Sequence, residues 1–255
     1  MAKLIVITSG KGGVGKTTTA INLGAAMNHF KEDILIIDGN LTTPNVGLHL
    51  GSPEVPITLN HVLLNKADPF EAVYEHESGM KIMPSSLSLS ELRKIKPEKL
   101  KAYKSDFKRI ADYIILDSSA GLGSETRSAI DAADELIIVT NPEMPALTDA
   151  LKTIKLAEEM RKPIKGVIVT RVRRQDSEME PDVVKEMLEI PILGMIPEDE
   201  LIQEALKLKD AIVHTHPHSK SARAYKEIAA KILGVNYNPE KDRLPFWKRL
   251  FNWKK

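Results

Sequence analysis

The chain has 255 residues, of which 42% are hydrophobic and 28% charged, enough to bury one large core and too balanced for a disordered polymer. Lys and Arg number 36 against 35 Asp and Glu, a net charge of +1, so no global positive field is available to hold nucleic acid. Cysteine is absent, which excludes disulfides, thiolate metal sites, cysteine-ligated iron–sulfur clusters and cysteine nucleophiles.

Met1 to Thr8 runs straight into a glycine loop with no cleavable signal pattern, and no stretch of 18 apolar residues follows anywhere. A soluble, cytoplasmic protein with at most peripheral membrane contact is expected. Short apolar runs at Leu4 to Thr8, Ile34 to Asp38, Lys81 to Met83, Tyr113 to Asp117, Leu136 to Thr140, Gly166 to Thr170 and Ile192 to Ile196 predict strands buried on both faces. Helical spacing lies between most of them, at Lys16 to Asn28, Pro97 to Ile110, Leu147 to Met160, Pro181 to Leu188 and Ser219 to Leu233. Alternation of this kind predicts a three-layer α/β fold, a mostly parallel, doubly wound sheet covered on both sides. One domain over residues 1–235 is expected, then a linker over 236–243 and a tail over 244–255.

The strongest chemical signal is Gly10, Lys11, Gly12, Gly13, Val14, Gly15, Lys16, Thr17, which satisfies GxxxxGK[ST] between a predicted strand and a predicted helix. Backbone N–H groups of such a loop wrap a phosphate, and the following helix presents its positive end. Lys16 would reach the β and γ phosphates, Thr17 would give its hydroxyl to Mg²⁺, and Thr18 continues the cradle. Asp117, ending an apolar strand, supplies the carboxylate that a metal-bound triphosphate needs. The small residues Ser118 to Gly121 after it can approach a γ-phosphate and move when it leaves.

Lys11 places a second lysine inside the loop, and the spelling KGGVGKTTT resembles the deviant Walker A ATPases, the MinD/ParA family of P-loop proteins. The resemblance runs from Met1 to about Leu233. It implies an ATPase using ATP and Mg²⁺, in which Lys11 reaches across a nucleotide-sandwich homodimer to the partner's phosphates. It also implies that Asp38 joins Thr17 and Asp117 at the metal and Lys11, Lys16 and residue 40 in the catalytic group. Asp38 to Leu48 looks like the first switch of the MinD branch. Thr170 and Arg171 stand where the family frames adenine, and Pro197 and Glu198 resemble the second wall of that pocket. Family members usually carry Asp, Xaa, Asp in this switch, whereas the second position here is Asn40. An amide cannot take a proton from water, so hydrolysis is expected to be slowed, by about 10²- to 10⁴-fold if general-base help is lost.

From Pro239 to Lys255 there are six positive and two negative residues, a net of +4, which leaves −3 for residues 1–238. At 100° per residue, Leu244, Phe246, Trp247, Leu250, Phe251 and Trp253 share one half of a helix, with Lys248 and Arg249 on the other. This predicts an amphipathic helix for an anionic membrane surface, similar to the membrane-targeting end of the MinD branch. A positioning ATPase recruited to the membrane in its ATP state, acting on a protein cargo or activator, is the leading expectation. A ParA-type partitioning ATPase and an ATP-binding membrane adaptor with negligible turnover are the other readings of the same resemblance. DNA is not the expected partner, because Gln175 to Glu178 dilute the basic run Arg171 to Arg174. His214, His216 and His218 are read as surface residues rather than a metal site.

Overall fold

The computed structural model describes residues 2–52, 54–173 and 178–242, so the tail expected over 244–255 lies outside the described residues. The strands are β1 (Lys3–Ser9), β2 (Ile34–Gly39), β3 (Tyr74–Glu75), β4 (Lys81–Met83), β5 (Tyr113–Ala120), β6 (Glu135–Thr140), β7 (Ile164–Val172) and β8 (Ile192–Pro197). They form one sheet in the order β3-β4-β2-β5-β1-β6-β7-β8, in which β3 alone runs antiparallel to its neighbour among the described residues. Two consequences position the site. β1 lies between β5 and β6, so the chain turns outward in opposite directions on either side of it, and ligands of open parallel sheets bind outside the carboxyl ends at such a point. In addition, β2 and β5 are neighbours with Asp38 opposite Asp117, which brings two carboxylates of distant sequence side by side.

The helices are α1 (Lys16–His29), α2 (Val46–His49), α3 (Leu59–Leu63), α4 (Leu89–Leu92), α5 (Lys104–Ile110), α6 (Ser124–Ala132), α7 (Met144–Glu159), α8 (Pro181–Leu188), α9 (Leu201–Lys207), α10 (Ile212–Thr215) and α11 (Lys220–Leu233). Alternate residues of each central strand feed opposite cores. Ile5, Ile7, Ile34, Ile36 and Ile115 pack with α1, α10 and α11, while Leu4, Val6, Leu35, Ile37 and Leu116 pack with α3, α5 and α6. A third cluster joins Ile138, Val167 and Val169 to α7 and α8. Each fully buried Leu or Ile contributes roughly 1.5 to 3 kcal/mol, which fixes the sheet and hence the loops at its edge.

The predicted helix from Pro97 to Ile110 is two pieces: Pro97–Tyr103 is 3₁₀ and only Lys104–Ile110 is α-helical. Pro97, Leu100 and Tyr103 recur every three residues, the 3₁₀ repeat, and Leu100 fills the core from that spacing. α7 starts at Met144, earlier than its apolar spacing suggests, because Pro145 fits a first turn. After α11, residues 236–242 carry neither helix nor strand but are held to the body. The Asp242 carboxylate accepts from Lys226 Nζ at 2.7 Å and from the Tyr237 hydroxyl at 2.7 Å, His218 Nδ1 lies 3.1 Å from it, and Arg223 donates to the Pro239 carbonyl at 3.2 Å. Lys226 is buried, so this anchor is internal.

Candidate functional site

The loop from Gly10 to Gly15 leaves β1 and enters α1. Its glycines are required by two different constraints. At Gly10 an added Cβ would run into the Asp149 carbonyl of α7, so the loop lies directly on that helix. Gly15, the residue before α1, is left-handed with φ 85°. The adjacent Lys16 and Thr17 then meet Asp117, about a hundred residues away in sequence, behind the loop. Lys16 Nζ lies 2.8 Å from one Asp117 oxygen and Thr17 Oγ1 donates to the other at 2.6 Å. Lys16 and Asp117 are both buried, so this pair is shielded from solvent.

Asp38 sits beside them, fully buried. Its Oδ2 accepts from the backbone N–H groups of Asn45 and Val46 at 2.8 and 2.9 Å, and its Oδ1 accepts from Asn40 N–H at 3.2 Å. Burial first, and then the neighbouring Asp117 charge, push the Asp38 carboxyl up to about 7, against the pull of those three N–H groups. Two buried carboxylates next to a threonine hydroxyl form an all-oxygen donor set, which suits a hard cation such as Mg²⁺ held jointly with phosphate oxygens. Among the described residues no group of three or more His, Asp or Glu could cage a metal alone. His214, His216 and His218 face Asp210, Glu204 and Asp242 separately and do not converge.

Asn40 is buried, and both ends of its amide are taken by Thr43. Nδ2 donates to the Thr43 carbonyl at 2.7 Å, and Oδ1 accepts from Thr43 N–H at 3.3 Å. An aspartate could accept but not donate here, so asparagine has a loop-stapling role that the sequence alone did not reveal. Lys11 is exposed and lines the mouth of the phosphate-end cavity with the glycine loop, with no ion pair among the described residues. The phosphate end of the cleft encloses about 670 Å³ between the glycine loop, the Asn40 to Asn45 turn and the start of α6. His49 also lines it, and burial holds its imidazole below the ordinary value despite the pull of Asp117.

A larger hollow of about 1590 Å³ adjoins this end, and Gly15, Thr18 and Arg171 line both, so the two form one trough along the sheet edge. Thr170 is the joint between them: its hydroxyl reaches the Val14 carbonyl at 2.6 Å and Asn141 Oδ1 at 2.9 Å. Arg171 follows in a left-handed conformation with φ 56°. Pro197 and Glu198 line the hollow, and Glu198 is occupied by an exposed ion pair with Arg173 that holds its carboxyl below the usual range. Arg174 to Ser177 lie outside the described residues.

Residues 5–212 match the model of the CobQ/CobB/MinD/ParA nucleotide binding domain. An uncharacterized ATP-binding protein of Methanocaldococcus jannaschii is 38% identical over 240 residues, covering 94% of this chain and 91% of its own length. The cell division ATPase MinD of Pyrococcus furiosus superposes with a TM-score of 0.88 at 33% identity, over 92% of this chain and 99% of that one. MinD of Pyrococcus horikoshii, solved with Mg-ADP, gives 0.87 at 34% identity, over 91% and 96%. A glycine loop backed by a buried Lys and Asp and a half-buried Thr, on a sheet of this order and across this length of match, makes the chain a member of the MinD/ParA nucleotide-binding family.

Proposed function

We propose that this chain is a Mg²⁺-dependent ATPase of the MinD type that uses ATP to dimerise and thereby to attach to an anionic membrane, where it positions a division apparatus or another localised assembly. The observation that carries the reading is the buried Lys16–Asp117 pair, bridged to the half-buried Thr17 hydroxyl and set beside Asp38, a site suited to a metal-bound triphosphate. Thr17, Asp38 and Asp117 would hold Mg²⁺, which would supply charge neutralisation for the β and γ phosphates. Lys16 would leave Asp117 for the phosphates as they enter, and the Thr17 hydroxyl, now donating to Asp117, would turn to the metal. Lys11, exposed at the mouth of the cavity, is free to reach a second copy's phosphates, which makes the γ-phosphate a dimerisation signal.

Membrane attachment rests on the tail. Each basic residue near an anionic surface adds about 1 kcal/mol, and each partly inserted Phe, Leu or Trp about 1 to 2 kcal/mol, offset by the cost of ordering the segment. One tail then binds marginally and two tails in a dimer bind far better, because the second insertion is intramolecular. Asn40 slows hydrolysis and prolongs that state. The test is sedimentation of the full chain with anionic vesicles in Mg·ATP and in Mg·ADP, with light scattering and phosphate release measured on the same samples. ATP should give a dimer and vesicle binding, and deletion of residues 244–255 should abolish sedimentation with nucleotide affinity kept. A chain that stays monomeric when saturated with Mg·ATP overturns the proposal.

A further inference from the structure

Charge is spread unevenly within the body as well as at the chain's end. Residues 93–109 carry eight positive and two negative side chains, a net of +6, so the rest of residues 1–238, which together sum to −3, stands at −9. Local spacing decides where these charges go. Leu92, Ile95, Leu100 and Tyr103 turn inward onto the core shared with α3, α5 and α6. The residues between them are left outside: Arg93, Lys94 and Lys96 are exposed and Lys99 is half-buried. Leu89 stands one helical turn before Arg93, whose N–H reaches the Leu89 carbonyl at 3.3 Å, so the two share a side. Leu87 and Leu89 are 53% and 67% exposed.

An ordinary solvated face mixes the two signs of charge. The later part of the same stretch does so: Lys101 pairs with Asp131 at 3.1 Å, and Lys104 and Lys108 each reach Asp134 at 2.6 Å. Arg93, Lys94, Lys96 and Lys99 have no ion pair among the described residues, and Glu91, just before them, faces His61 at 3.4 Å instead. The approach to this segment is already held in place. Ser85 Oγ donates to the Asp38 carbonyl at 2.7 Å, and the Ser86 N–H donates to Asn60 Oδ1 at 3.1 Å. Scattered single leucines on a surface need no explanation, but two beside four unpaired cations on a fixed segment call for a partner that supplies both carboxylates and apolar side chains.

We infer that Leu87, Leu89, Arg93, Lys94, Lys96 and Lys99 form a docking surface for an acidic, amphipathic segment of a partner protein, whose carboxylates meet the cations while its apolar side chains cover the leucines. Charge complementarity selects this occupant, and it does not depend on ATP hydrolysis. DNA fits less well, because phosphates cover no leucine and a duplex longer than the patch meets the −9 of the remaining body. A membrane fits less well because of position. Asp242, the last described residue before the tail, is bound to Lys226 of α11, and α11 packs on the opposite face of the sheet from Leu92, Ile95 and Leu100.

The test uses the full chain and a fluorescein-labelled helical peptide with Glu on one face, Leu on the other and a net charge opposite to that of residues 93–109. Binding is followed by anisotropy at low salt, beside a Leu-to-Ser version of the peptide, a DNA duplex of equal charge and vesicles of phosphatidylglycerol and phosphatidylcholine. Lys94→Glu/Lys96→Glu should weaken peptide binding at least about tenfold, and Leu87→Ser/Leu89→Ser about three- to tenfold. Melting temperature and nucleotide affinity should stay at wild-type values, since these side chains point outward. Lys155→Glu/Lys207→Glu, which reverses two exposed cations elsewhere, should leave peptide binding within about twofold. The inference is overturned if wild type does not bind the peptide, if either patch variant binds it within twofold of wild type, or if the distant variant loses as much. It is also overturned by a duplex that binds more tightly than the peptide and is lost in the lysine variant, which would make this a nucleic-acid surface. Vesicle sedimentation lowered by the lysine variant would make it a lipid contact, and self-association relieved by that variant would assign it to a second copy; either result overturns it.

Discussion

The two ends of the trough are built on different physical terms. At the phosphate end, Lys16, Asp117 and Asp38 are buried, charged and mutually dependent, and main-chain N–H groups do much of the holding. At the other end, where the base is expected from the sequence, the facing residues Arg173 and Glu198 form an exposed pair that water screens. Where burial couples the charges, no member can be replaced without exposing the others, so that end tolerates one arrangement. Where solvent screens them, the members are interchangeable and the end is free to vary.

The largest break in this contrast is expected from Lys16→Ala. It leaves Asp117 buried next to Asp38 with no cation, which should cost about 3 kcal/mol in the nucleotide-free protein, read by urea unfolding. Losing a charge-assisted bond of about 1.5 to 3 kcal/mol should also weaken nucleotide binding roughly 10- to 100-fold. A stability unchanged from wild type would mean that the buried cluster is not coupled.

An intermediate effect is expected from pH. The Asp38 carboxyl is raised to about 7 from an ordinary 3.8, so the native state keeps a proton that the unfolded chain releases across that interval. Stability from this group is therefore full below the unfolded value and is lost as pH rises toward about 7, opposite in sign to a salt-bridged carboxylate. In EDTA, urea midpoints should fall between about pH 5 and about pH 7 and then level off. Asp38→Asn should flatten that slope, and an unaltered slope in the variant would assign it to other groups.

The smallest effect is expected at the other end. Arg173→Gln should leave the melting temperature unchanged and nucleotide affinity within about twofold. A larger loss of affinity would show that this end is also coupled, and the contrast would have to be withdrawn.

The same difference governs what could be read before the fold was known. The glycine loop, Lys16, Thr17 and Asp117 were legible because their chemistry demands fixed residue types at fixed spacing or at the end of an apolar strand. Asp38 came through the family resemblance, and the Asp38–Asp117 adjacency needed the order of strands β2 and β5. Asn40 was read only as a missing charge, because its donation to the Thr43 carbonyl depends on the local turn. The division of Pro97 to Ile110 into 3₁₀ and α pieces was lost because both repeats place an apolar residue at i+3.

The anchor at Asp242 fixes the point at which the described chain leaves the body. Asp242 lies nine residues beyond the end of α11 at Leu233; fully extended, such a stretch would lend roughly 30 Å of reach. Pinned by Lys226, Tyr237 and His218, it lends none. The leash is short and its origin fixed on one side of the body, so a surface gripped beyond residue 242 would set the tilt of the whole molecule as well as its distance.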